Sequence, residues 1–88
     1  MITIFELIGS NIQSCLKEKN ISIEACAKLL DISEAGVSNI LLGKRIVNEN
    51  EIKFISKKLG VSMNSIISEE SIDLFLESRK ELEINKSQ

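Results

Sequence analysis

The segment Ser22-Ile23-Glu24-Ala25-Cys26-Ala27-Lys28-Leu29-Leu30-Asp31-Ile32-Ser33-Glu34-Ala35-Gly36-Val37-Ser38-Asn39-Ile40-Leu41-Leu42-Gly43-Lys44-Arg45 places two short helical patterns on either side of a tight turn. Ser22 is a good N-cap, since its hydroxyl can accept a backbone N–H of the first turn. The helix it opens runs from Ile23 to Leu30, with Cys26, Leu29 and Leu30 expected on its inner face. Asp31-Ile32-Ser33 follows as a turn with an apolar plug, and Ser33 caps the next helix, expected to run to about Leu42. Val37, Ile40 and Leu41 should face inward there, and Gly43 suits the position after the helix, where positive φ is easily adopted. Small Ala27 sits where two helices approach closely, and Ile32 should seal the turn against the core.

Helical patterns continue in both directions. Upstream, Thr3-Ile4-Phe5-Glu6 is a capping box, and Phe5, Ile8, Ile12, Cys15 and Leu16 form one stripe of a helix to about Lys19, with Asn20 as a stop. Gly9 lies inside it at a cost of about 1 kcal/mol relative to Ala. Downstream, Asn48 and Glu51 make a second capping box. Ile52, Ile55 and Leu59 form the stripe of a fourth helix, with Phe54 on its flank, Lys57 and Lys58 near its end, and Gly60 closing it. Ser62 caps a short fifth helix through Ile67, and a sixth, over 71–84, is expected to carry Ile72, Phe75, Leu76 and Leu82 on one face. With no proline, four glycines and no alternating β-branched run, the chain has an all-α pattern.

Composition bounds the chemistry. Of 88 residues, 31 are Leu, Ile, Val or Phe, enough for one small core. The absence of His removes imidazole catalysis and His-ligated metal. Cys15 and Cys26 match no metal-ligand spacing and suit core-filling thiols in a reducing compartment. No P-loop, nucleophile elbow or placed carboxylate pair is present, so neither enzymatic activity nor a cofactor is expected. No apolar run is long enough for a membrane span, and Met1-Ile2-Thr3-Ile4 lacks the basic start of a signal peptide. A cytoplasmic protein without membrane contact is therefore expected.

Two helices separated by a plugged turn make a helix-turn-helix, which presents its second helix to a major groove. Over roughly 5–67 the sequence resembles the Cro/C1-type (XRE-like) helix-turn-helix family of phage repressors and small bacterial regulators. The residues carrying the likeness are Ala27, Ile32-Ser33, Val37-Ser38 and Ile40, then Gly43-Lys44-Arg45, then Leu59-Gly60-Val61-Ser62. The resemblance implies a five-helix, lambda-repressor-like DNA-binding domain over 3–68. The amphipathic helical appendage over 69–88 has an apolar stripe that either packs against its own domain or serves as a dimerisation segment; the second is expected, because a five-helix domain already closes its core. The resemblance also implies a transcriptional regulator, expected to be a repressor, acting as a homodimer on a palindromic double-stranded operator, with a protein antagonist as a further possible partner.

Position by position, the resemblance puts Ser33, Glu34, Ala35, Ser38 and Asn39 toward DNA on a recognition helix over 33–42, with Ser22, at the start of the preceding helix, as a further DNA-binding residue. Asn39 could pair with adenine through its amide, Ala35 could touch a thymine methyl, and Ser33 and Ser38 could donate to phosphates or bases. Lys44 and Arg45 would lie along the phosphate backbone. Three positions depart from the family pattern. Ile23 replaces a Gln that often contacts phosphate, Glu34 replaces another frequent Gln, and Leu42 stands where a polar residue is common. Leu16 and Leu41 occupy the places of a frequent buried Arg–Glu pair, an exchange that leaves no orphan charge.

The net charge is −2, but residues 10–68 hold eight basic against six acidic side chains, and 69–88 hold three against six. Two other readings use the same fold. One is an interaction module, an antirepressor or regulatory adaptor, whose DNA face is disabled by Ile23, Glu34 and Leu42. The other is an antitoxin that represses its own operon.

Overall fold

The computed structural model describes residues 3–67. These form five helices: α1 (Ile4–Glu18), α2 (Ile23–Leu30), α3 (Glu34–Leu41), α4 (Glu49–Leu59) and α5 (Met63–Ile66). No strand occurs among the described residues, as the patterning predicts. The helix expected over 71–84, and with it the appendage over 69–88, lies outside the described residues.

Local chemistry places the starts. Thr3 and Glu6 exchange both bonds of a capping box (3.1 and 3.2 Å), and Asn48 and Glu51 do the same at α4 (2.8 and 3.3 Å). Ser22 and Ser33 each accept one backbone N–H of the following turn, at 3.1 and 3.0 Å. Such caps are each worth about 1 kcal/mol. Ser62 departs from expectation: its hydroxyl makes no cap bond and lies 3.1 Å from the Ser65 hydroxyl, and α5 stops at Ile66 rather than Ile67.

Four helix ends share one geometry. Asn20, Asp31, Gly43 and Gly60 have φ of 55°, 56°, 74° and 68°. In each case the next residue's N–H reaches back five positions: Ile21 to Leu16, Ile32 to Ala27, Lys44 to Asn39 and Val61 to Ser56, at 2.8–3.1 Å. This is the Schellman ending, usually completed by an apolar residue that folds back on its helix. Ile21, Ile32 and Val61 supply it, each half-buried against the core. The end of α3 has Lys44 instead, exposed.

The core is aliphatic. Ile8, Ile12, Leu16, Cys26, Ala27, Leu30, Val37, Ile40, Val47, Ile52, Ile55, Leu59, Ile66 and Ile67 form one buried cluster, and a fully buried Ile or Leu contributes about 1.5–3 kcal/mol. α1 packs on α3 and α5, α2 on α3 and α4, and α4 on α5. One expected core position is overturned. Leu29 is 41% exposed rather than inward. The buried arc of α2 is centred among Cys26, Ala27 and Leu30, and Leu29 falls roughly 100° away from it at the helical advance per residue. Val47, by contrast, is buried while its neighbour Ile46 is 66% exposed. Nothing periodic in that connection distinguishes the two.

Candidate nucleic-acid interface

An eight-residue helix such as α3 has little stability alone, so its position depends on what holds it from behind. Val37 and Ile40 are buried to 1% and 5% exposure. α1 closes on its C-terminal end. A side chain at Gly9 would fall on the carbonyl oxygens of Ile40 and Leu41, and one at Gly43 would lie 2.6 Å from the backbone of Glu6. Glycine at both positions therefore lets α1 sit directly against the end of α3, and Gly43 additionally holds positive φ.

The opposite face of α3 is open. Glu34, Ala35 and Asn39 are exposed, Ser38 is half-buried, and Ser33 is exposed at the cap. Among the described residues, the side chains of Glu34, Ser38 and Asn39 make no hydrogen bond or ion pair, so their polar atoms are available to an incoming ligand. Ser22 and Ser33 use their oxygens as caps but keep a hydroxyl hydrogen to donate. The structure thus brings Ser33, Glu34, Ala35, Ser38 and Asn39 onto one helix, with Ser22 at the start of α2.

The two cations after α3 differ. Lys44 is exposed and has no ion-pair partner among the described residues. Arg45 donates from Nη2 to Glu51 Oε2 at 3.0 Å, a partner that sequence reading did not anticipate. Lys28 on α2 lies 3.6 Å from Glu24 in an exposed pair. Glu34 is favourably placed near the positive end of the α3 dipole, but it sets an anion on the outward face.

Apolar side chains are also exposed on the helix-turn-helix. Ile23 and Leu42, two of the departures from the family pattern, are 41% and 59% exposed. Leu42 borders a groove of about 290 Å³ lined by Glu6, Leu7, Ser10 and Leu41. A second hollow, of about 160 Å³, lies between Ile32, Arg45, Glu51 and Phe54. Both cysteines are buried and unpaired, and no group of three potential metal ligands occurs among the described residues.

A capped helix, a plugged turn and a second helix gripped by α1 form the arrangement that a helix-turn-helix requires. A helix-turn-helix family model (HTH_3) matches residues 12–66, more than half of the chain. The chain belongs to the Cro/C1-type helix-turn-helix family. No curated protein and no solved structure matches it. The Cro/C1-type match spans α2, α3, α4 and α5 completely, and with them the whole outward face described above. Cro/C1-type domains are DNA-binding regulatory domains and are not generally enzymatic. No helix among the described residues is long and apolar enough to cross a membrane.

One contact inside the Cro/C1-type fold was not foreseeable. Asn11 on α1 donates from Nδ2 to the carbonyl oxygen of Ile66 at 2.8 Å, satisfying the end of α5. Asn11 reads in sequence as one polar residue beside an apolar stripe, and only the packing of α1 on α5 gives it a partner.

Proposed function

We propose that this protein is a sequence-specific transcriptional repressor that inserts α3 into the major groove of double-stranded DNA. The observation that carries the reading is the outward face of α3. It is polar, and among the described residues unbonded, at Ser38 and Asn39, while the inward face is locked by Val37, Ile40 and the α1 contact. Asn39 has the donor–acceptor pair that matches adenine N7 and N6. Ser22 and Ser33 sit at helix starts, where backbone N–H groups and hydroxyls suit phosphate. Ala35 is small enough to meet a thymine methyl. Glu34 disfavours phosphate and could accept from cytosine N4. Lys44 and Arg45 supply charge along the backbone.

A homodimer would set two such helices about 34–36 Å apart on a palindromic operator, with 69–88 as the joining segment. The protein then works in the cytoplasm, and its site needs no cofactor. A protein antagonist would compete for the same face.

The exposed Ile23 and Leu42, with the groove beside Leu42, favour a second reading, an interaction module on the same fold. Selection of fragments from genomic DNA by the purified protein, at two salt concentrations, separates the two. The repressor reading expects a few enriched sites with a shared, roughly two-fold motif, bound more weakly at higher salt. Recovery without enrichment at either salt would contradict it.

A further inference from the structure

We propose that Glu51 restrains DNA binding by holding Arg45 in an internal ion pair that a phosphate must displace. The inference rests on the DNA-binding reading and deepens it by assigning a regulating residue to the backbone contact. Arg45 lies four residues after the end of α3, and its N–H and that of Lys44 both donate to the Asn39 carbonyl, at 3.3 and 2.9 Å. Its backbone is therefore fixed at the end of α3. Glu51 is fixed as well: Oε1 accepts the Asn48 N–H at 3.3 Å, and its own N–H donates to Asn48 Oδ1 at 2.8 Å. The second oxygen, Oε2, takes Arg45 Nη2 at 3.0 Å. The Glu51 carboxylate is thus held before the two meet, and Arg45 is held at its backbone, so the ordering cost of the pair falls mainly on the Arg45 side chain.

The pair is nonetheless open to an incoming anion. The Arg45 side chain is 44% exposed, and that of Glu51 33%. The Lys44-Arg45 sequence therefore looks like two phosphate contacts but presents one unneutralised charge. Counterion release scales with the number of phosphates a protein neutralises, at a salt slope of about 0.9 per contact on duplex DNA. An arginine already facing a carboxylate adds little to that number until the carboxylate is removed.

Glu51→Gln removes the charge and keeps the helix start, because glutamine also serves in a capping box. Glu49→Gln makes the same charge change two residues earlier in the first turn of α4, on an exposed side chain with no ion pair among the described residues. Binding of full-length variants to a mixed-sequence DNA duplex, followed by fluorescence anisotropy across a salt series, gives the slope directly. Circular dichroism confirms that each variant is folded.

Glu51→Gln should bind more tightly at low salt and steepen the slope by about 0.9, an extra loss of about threefold in affinity between about 50 and 200 mM salt. Glu49→Gln should leave the slope unchanged, and the Glu51→Gln/Arg45→Gln double variant should lose the gain. A Glu51→Gln slope equal to wild type, a gain that survives in the double variant, or an equal effect of Glu49→Gln overturns the inference alone. If no variant binds the duplex at any salt, the DNA-binding reading falls and takes the inference with it.

Discussion

Ile21, Ile32 and Val61 each follow a left-handed residue at a helix end and pack on the core, whereas Lys44 occupies the matching place after α3 and stays in solvent. A lysine near a helix C-terminus gains something from the dipole, but it forgoes the apolar contact that completes the motif elsewhere in this chain. Such a local exception to a repeated rule is characteristic of a functional position. Lys44→Ile should accordingly hold or raise stability, by up to about 1 kcal/mol in urea unfolding, while weakening binding to all DNA sequences alike. Lower stability together with unchanged DNA affinity would remove Lys44 from the interface. Lys44 was legible as a candidate in sequence because it follows Gly43. The Arg45–Glu51 pair was not, since nothing in a linear charge pattern says which acid a flexible arginine will meet.

Helix starts and ends were the most legible elements, because caps and left-handed residues act within a few positions of themselves. Thr3, Ser22, Ser33 and Asn48 all cap as their spacing predicts. Ser62 does not, and α5, four residues long, is too short to impose its own start. Burial was less legible. The stripe on a short helix is only as definite as the elements packed against it, which is why Leu29 points outward and why Val47 rather than Ile46 enters the core. Gly9 shows the same limit. Sequence reading assigns it a helix-propensity cost, whereas packing shows that it permits the α1–α3 approach. Gly9→Ala should therefore destabilise the domain by about 1–3 kcal/mol, as overpacking does, despite alanine's better helix propensity. Chemical denaturation measures this, and a stabilised variant would mean that α1 is not seated against the end of α3.

Across the molecule, stability comes from one aliphatic cluster with two thiols buried in or beside it. Burial is the largest cause pushing both thiols above their ordinary value near 9; at Cys15 Glu18 adds to the rise and Lys19 opposes it. A folded-state value raised above the unfolded one favours the protonated native state. Its contribution is complete below about pH 9 and is lost as pH rises through the folded value. Stability should therefore fall on the alkaline side, and Cys26→Val should flatten that fall; identical pH slopes for both proteins would contradict the assignment. The family and the five-helix order were legible because the register of caps, turns and apolar positions extends over most of the chain. The homodimer expected from the apolar stripe over 71–84 rests on residues outside those described.

In the proposed function, α3 is the element that distinguishes one DNA sequence from another. Its most direct test compares wild type and Asn39→Ala on the best genomic site and on a scrambled duplex of equal length and charge. The account predicts that Asn39→Ala loses about 1–3 kcal/mol of the preference for the genomic site while binding to the scrambled duplex persists. An unchanged preference would place sequence recognition somewhere other than the outward face of α3.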